Sequence, residues 1–362
     1  MRARAQRVPL TRQTVAAFAA AVVFVVLAVL VAALPVPYVT WSPGTPRDVL
    51  GGAATSGSAG PESMISISDA PTYPTSGRLD LTVVSATAAD SRLNLPQALV
   101  AYWRPEHDTL PREAVYPPGR TSQEVESADA EMMVDAQDDA AVAALRATSQ
   151  PVRQLPAIAS VTVGSPAQSN LRAGDLVLSV DGVSTSTPAL VQAQVRKAVA
   201  GRDLTFVVLR DKVRTVVTFK PAPQASGTGV QIGISLGTGY AYTPRISYDL
   251  GQKIGGPSAG LVFALAIYDK LTPGELFAGQ HVAGTGTIDP TGVVGGIGGI
   301  QEKIAGAQQA GATTFLVPAP NCADLAGVQT SMRLVRVATL SDAIRSVRWL
   351  SSPDLVGDLP TC

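Results

Sequence analysis

The 362-residue chain holds only two cysteines and two histidines. Cys322 and Cys362 cannot build a disulfide-dense scaffold, and with His107 and His281 they cannot build a Cys-rich zinc or iron–sulfur site or a multi-histidine metal centre. No metal or other cofactor is therefore expected. Charge is also sparse: 15% of residues are charged and 5% aromatic, and 28 basic residues exactly offset 28 acidic ones. A 46% hydrophobic composition excludes a disordered chain. The neutrality hides an asymmetry, because Arg2, Arg4, Arg7 and Arg12 have no acidic counterpart before residue 35, leaving 24 basic against 28 acidic residues beyond. A slightly acidic body without a lysine and arginine cluster excludes a general nucleic-acid footprint. ATP binding is not expected either. No G-x-x-x-x-G-K-[ST] run occurs, and the glycine-rich stretch 292–299 lacks a following Lys-Ser or Lys-Thr pair.

What is present begins with Val15–Leu34, 20 residues without a charge. At about 1.5 Å per helical residue this run matches a hydrocarbon core of about 30 Å. The four arginines before it place residues 1–14 in the cytoplasm and everything after Pro35 outside. A cleaved signal peptide is the competing reading. Its apolar core would be about 7–15 residues and end in a small-x-small site, whereas Leu34-Pro35-Val36-Pro37 follows here, so an uncleaved, single-pass anchor in the lipid bilayer is favoured. The remaining 328 residues suffice for roughly two domains of about 150 residues.

Residues 43–61, rich in Gly, Pro, Ser and Thr, read as a long loop. Leu79–Ala86 alternates as a strand, and the proline-rich stretch to Gly119 gives no clear fold. Residues 121–139 carry seven acids and no base and pass into Met132, Met133, Ala136, Ala140, Val142, Ala143 and Leu145 at helical spacing, which predicts an amphipathic helix with a solvated acidic face.

A more regular unit spans 157–222. Ala157–Val163 and Asp175–Val180 read as strands around a Gly-Ser-Pro-Ala turn, and Asp181-Gly182 is a tight-turn dipeptide. A helix follows, capped by Ser186 or Thr187, with Pro188 in its first turn and Gly201 at its end. Strands Leu204–Leu209 and Thr215–Phe219 close the unit. The order, with Gly-Ser-Pro-Ala, Ala-Gly-Asp-Leu-Val-Leu and Val-Asp-Gly, resembles the PDZ domain of bacterial envelope proteases. That resemblance implies a groove that takes an extended peptide by strand addition. The Gly-Leu-Gly-Phe-like carboxylate loop of such domains is not evident upstream of the unit.

The richest stretch is Lys253–Tyr268, in which Gly255-Gly256-Pro257-Ser258-Ala259-Gly260 gives way to an apolar helical run. Ser258 at a helix start is either a cap or a nucleophile beside unpaired N–H groups able to hold an oxyanion. A nucleophile needs a base. His107 lies in a polar loop and His281 in an apparent strand, neither in a suggestive motif. Lys303 falls on the face made by Ile300, Ile304 and Ala307, and either snorkels to water or, desolvated, becomes a neutral amine.

Gly-Gly-Pro-Ser258-Ala-Gly, Val282-Ala-Gly-Thr285-Gly-Thr-Ile288, Gly-Gly-Ile-Gln-Glu-Lys303-Ile and Ala-Gly-Ala-Thr-Thr-Phe-Leu-Val-Pro318 occur in that order. Together they resemble the proteolytic domain of Lon proteases. The resemblance implies a Ser-Lys dyad of Ser258 and Lys303, with Thr285 orienting the lysine and Gly256, Pro257 and Ala259 supporting the serine. Two departures stand out: the larger ATP-dependent members carry acids where this chain has Gly255 and Thr287. Anchor, PDZ unit and Lon-type domain without an ATPase resemble the YlbL-type envelope proteins of bacteria. The implied protein is an α+β serine endopeptidase independent of ATP, acting on unstructured polypeptide segments or termini recruited through the PDZ domain, in monomeric or oligomeric form. A non-catalytic PDZ adaptor is the alternative. The expected organisation is a basic tail (1–14), an anchor (15–34), a region of unassigned fold ending in a helix (35–150), a PDZ domain (151–225), a Lon-like domain (226–350) and a C-terminal tail (351–362). Cys322 and Cys362, in an outward-facing domain, are expected to pair.

Overall fold

The computed structural model describes residues 11–51, 63–224, 229–250 and 254–362. Arg2, Arg4, Arg7, Lys253, most of the Gly/Ser-rich loop and the expected PDZ boundary at 225 lie outside the described residues. The helices are α1 (Arg12–Ala33), α2 (Leu95–Tyr102), α3 (Arg112–Val115), α4 (Ser122–Ala147), α5 (Pro188–Val195), α6 (Gly260–Leu271), α7 (Ile300–Gln309) and α8 (Leu340–Leu350). α1 is apolar throughout and long enough to cross a membrane, and none of its residues is buried in the fold.

A five-stranded sheet forms the centre of the larger body, in the order Arg333–Val337, Thr314–Pro318, His281–Gly284, Arg78–Leu81, Arg47–Asp48. The first four strands are parallel and the last is antiparallel. Thr314–Pro318 is buried along its whole length, as a parallel strand covered on both faces should be. Its alternate residues go to opposite layers: Leu316 joins the cluster containing α6, whereas Phe315 and Val317 join Ile300, Ile304 and Ala307 of α7. α6 is hydrophobic on all sides and is therefore packed on all sides. The C-terminal half of α4, from Ala140 to Leu145, covers it together with α8.

That core draws on both ends of the chain. Val49, Leu79, Leu81 and Met133 share one cluster with Phe263, Val282 and Val347. The stretch 35–150, which the sequence left without an assigned fold, supplies two strands of the central sheet, Arg47–Asp48 and Arg78–Leu81, and with α4 part of the core of the larger body. The expected strand Leu79–Ala86 is really two, Arg78–Leu81 and Val84–Ala86, which enter different sheets. Thr82 Oγ1 donates to Gly284 O at 2.9 Å and Gly44 N–H to Val83 O at 3.1 Å, which turns the chain between them.

The second body has its own core around Val180, Val191, Leu204 and Phe206. Its sheet runs Val213–Phe219, Leu204–Arg210, Leu176–Val180, Arg153–Val161, Ile234–Ala241. The last of these strands pairs along its length with Arg153–Val161, so this body extends to Ala241 and not to 225. Arg210 forms an ion pair with buried Asp175 at 2.7 Å, tying the strand to the turn before Leu176. α5 ends at Val195, earlier than Gly201.

At the other end of the chain, Cys322 and Cys362 form a disulfide. The tail is also docked without it, since Leu359 is buried and Arg336 N–H donates to Pro360 O at 2.8 Å.

Candidate active site

The sandwich of α6, parallel sheet and α7 brings two helix starts to the carboxyl end of one strand, the edge at which open parallel sheets place their ligand sites. The strand His281–Gly284 ends between the two helices, and Thr285 follows directly. Ser258 sits in the turn two residues before α6, and Lys303 lies one turn into α7. Ser258 is not a cap: Ala259 holds the N-cap position and makes no side-chain capping bond.

Thr285 joins the two sides. Its Oγ1 donates to Ser258 O at 3.1 Å and accepts from Lys303 Nζ at 3.1 Å. Gly286 N–H donates to the same Ser258 carbonyl at 2.9 Å. Gly286 has φ of 152°, and a Cβ there would meet Val294 Cγ1 at 2.9 Å, so glycine is required for this strand end to approach Ser258. Gly256 N–H donates to Asp129 O of α4 at 3.0 Å, and a Cβ at Gly255 would lie 2.8 Å from Asp129 Cβ. The space beside Gly255 is thus taken by α4.

Lys303 is 3% exposed. Burial pushes its pKa down to about 8, opposed by the charge of the adjacent Glu302. Ser258, Ala259 and Lys303 line a cavity of about 550 Å³ together with Gly44, Arg47 and Met133. On its other side Ser258 borders a second cavity of about 460 Å³, walled by Pro257, Thr287, Ile297 and Asn321. Asn321 holds that wall by accepting from Ile297 N–H and donating to Ile297 O, each at 2.9 Å. Ser258 therefore stands between two depressions, an arrangement that suits an extended chain laid across it.

Neither histidine lines these cavities. His281 is held by Asp80, with Nε2 2.8 Å from Oδ2. Several residues around the site escaped the sequence reading. Glu302 is buried because Trp41 and its strand cover the back of α7, and burial raises its carboxyl to about 7. Gly44 and Arg47, which read as loop, line the Ser258 cavity. The second body has a missed signal too. Gln231-Ile232-Gly233-Ile234 leads into the sheet's terminal strand, which flanks α5 and, among the described residues, pairs with no strand on its other edge. A strand edge beside a helix is the geometry for strand addition. This strand stands last in the chain and not upstream of the unit.

Two family models match the chain: the Lon protease (S16) C-terminal proteolytic domain over residues 252–347 and the PDZ domain over residues 140–220. Lon protease 1 of Myxococcus xanthus is 36% identical over 110 residues, covering 29% of this chain and 13% of that protein. The Lon protease of Roseiflexus castenholzii is 46% identical over 70 residues, covering 19% of this chain and 8% of that protein. Among solved structures, the PDZ domain of an SdrC-like protein of Listeria innocua is 24% identical, with 23% of this chain and 92% of that one covered and a TM-score of 0.21. The chain thus combines two modules, each matched by a family model over its own stretch. More specifically, it carries a PDZ domain and a proteolytic domain of the Lon (S16) type, while spanning only a small part of the length of the Lon relatives it matches.

Proposed function

We propose that this protein is a single-pass, membrane-anchored serine endopeptidase that works without ATP, with Ser258 as nucleophile, Lys303 as base and Thr285 as the group that orients the lysine. The observation that carries the reading is the bridge through Thr285. A threonine hydroxyl that donates to Ser258 O has its lone pairs free for Lys303 Nζ, and a neutral amine that donates to Thr285 keeps its own lone pair for the Ser258 hydroxyl proton. Lys303, with its pKa near 8, is partly neutral at physiological pH without a histidine.

In the proposed reaction Ser258 Oγ attacks the scissile carbonyl as its proton passes to Lys303 Nζ. Backbone N–H groups at the entrance of α6 stabilise the oxyanion. The protonated lysine then gives its proton to the leaving amine, and water, deprotonated by the same lysine, releases the acyl group. Gly256, Pro257 and Ala259 hold the serine's turn.

The PDZ domain would take a polypeptide segment along the free edge of Ile234–Ala241, beside α5, and deliver it as substrate. Substrates are expected to be unstructured segments or termini, the form of chain that can lie extended along a strand edge and across Ser258. α1 supports the anchor, the four arginines before it support an inward-facing N-terminus, and the Cys322–Cys362 disulfide supports an extracytoplasmic body. The test is cleavage of casein by the detergent-solubilised full chain, with loss of cleavage in Ser258→Ala and covalent labelling of Ser258 by a fluorophosphonate. A wild-type chain that binds peptides but neither cleaves nor takes the label would instead be an adaptor.

A further inference from the structure

We propose that α2 is an interfacial helix that lies in the outer leaflet beside α1 and holds the proteolytic body down on the membrane surface. The inference rests on the reading of α1 as a membrane anchor. Its occupant is lipid, and the argument starts from the chain's exit from α1. Pro35 and Val36, immediately after the helix, pair with Asn94 and Leu93, so α2 starts where the anchor ends. α2 contains no charged residue. Ala98 and Ala101 are the residues it buries in the fold, while Leu95, Pro96, Leu99, Val100, Tyr102 and Trp103 fall on the remaining arc at about 100° per residue. Tyr102 is 70% and Trp103 72% exposed, far beyond what a soluble surface needs.

This arc is continuous with the anchor. Leu99, Val100 and Trp103 share an apolar groove of about 680 Å³ with Phe24, Leu27 and Val31 of α1. Phe24 lies nine residues before Ala33, which is about 14 Å along a helix axis. A groove walled by residues that deep in a spanning helix opens onto the acyl chains of one leaflet and not onto water. The backbone is prepared for that medium at the end where α2 enters: Asn94 and Gln97 form a reciprocal capping box, and Pro96 removes one of the N–H groups that would otherwise need a partner. Tyr38, four residues past the end of the anchor at Leu34, is also exposed, as an aromatic at a membrane–water interface should be.

The consequence concerns the substrate. The strand Tyr38–Pro43 runs from the anchor to Gly44 and Arg47, which wall the Ser258 cavity. Gly44 is ten Cα-to-Cα steps from Leu34, so even a fully extended chain places that wall within about 35 Å of the end of α1. With α2 in the leaflet the body cannot swing away, and the site addresses polypeptide close to the membrane.

The test uses the full chain in phosphatidylcholine–phosphatidylglycerol vesicles, spin-labelled in turn at Val26→Cys in α1, Val100→Cys in α2 and Val163→Cys in the PDZ domain, the native disulfide remaining closed. Collisions with oxygen and with a water-soluble nickel chelate are measured. The labels at positions 26 and 100 are expected to favour oxygen and exclude nickel by about tenfold relative to position 163. A label at position 100 that behaves like position 163 while position 26 stays shielded overturns the proposal and leaves the anchor standing. Nickel access at position 26 removes the anchor itself, and the proposal with it. Spin–spin broadening between labels at position 100 of two chains would make the occupant a second copy, and would also overturn it.

Discussion

The PDZ domain and the proteolytic domain share one chain but are assembled in opposite ways. The PDZ core is drawn from one continuous stretch, whereas the proteolytic core joins Val49, Leu79 and Leu145 to Phe263, Leu316 and Val347 across the whole PDZ sequence. The PDZ domain is therefore an insertion in the proteolytic fold, entering after α4 and leaving at Ala241. Arg153 and Ala241 are antiparallel partners, so the entry and exit strands lie about 5 Å apart. A module attached at one point in space can be moved or removed with little effect on its host. A segment threaded through the host's sheet cannot.

The largest effects should come from the Ser258–Thr285–Lys303 bridge, which belongs to the threaded body alone. Ser258→Ala and Lys303→Ala should each reduce kcat/KM on a peptide by several orders of magnitude, because a nucleophile and its base act as a unit. His281→Ala should leave the rate within a few-fold. Loss of activity in a folded His281→Ala protein would reassign the base. Next in size is removal of the insertion: joining residues 152 and 242 by a short glycine linker should keep hydrolysis of a small reporter peptide and lower cleavage of casein by about tenfold, if avidity from recruitment is of the usual size. Equal loss on both substrates in a folded protein would show that the PDZ domain also supports the site.

The same contrast explains what the sequence revealed. PDZ strands follow one another at short spacing, and the period-2 alternation of Leu204–Arg210 opposite Val213–Phe219 is readable locally. The motif steps around Ser258, Thr285 and Lys303 were readable because each is a run of glycines against an apolar helix or strand. A strand at Leu79 was readable too, but its place in the sheet was not, because its partner His281–Gly284 lies about 200 residues downstream and no local pattern specifies a pairing over that distance. Glu302 points away from the apolar stripe of α7 and by spacing belongs in water. It is buried only because the strand carrying Trp41, from the other half of the fold, lies over that face.

Gly255 sharpens the comparison at the seam between the two halves. A side chain there would run into Asp129 of α4, whose carboxyl is already raised by burial. Gly255→Asp should therefore cost about 1–3 kcal/mol in stability through overpacking, with a further penalty from two adjacent carboxylates, and should lower kcat/KM. In an Asp129→Gly background, which removes the Cβ that a side chain at position 255 meets, both losses should shrink. Thermal unfolding and peptide kinetics on the four proteins check this, and identical losses in both backgrounds would mean that Asp129 is not the obstacle.

The smallest expected effect is a shift in a pH profile, and it too crosses the two halves. Lys303 is the proposed base and works only when neutral, so kcat/KM should rise with pH through a midpoint near 8, the value to which burial lowers its amine. Glu302 opposes that lowering. Its own carboxyl is raised by burial to about 7, so at the midpoint it is mostly ionised and holds the lysine's proton on. Glu302→Gln keeps the side chain's shape under Trp41 and removes the charge. The midpoint should then move to lower pH, by less than about one unit for a partly screened neighbour, and activity at pH 7 should increase. The linkage for stability has the same direction. A lysine whose pKa falls from 10.5 to about 8 on folding makes the native state bind fewer protons between those values, so stability rises with pH across that window and is lowest below it. A profile whose midpoint is unmoved or shifted upward in Glu302→Gln, with the protein folded, would show that the carboxylate does not act on Lys303 and that the cover from the N-terminal half is purely structural.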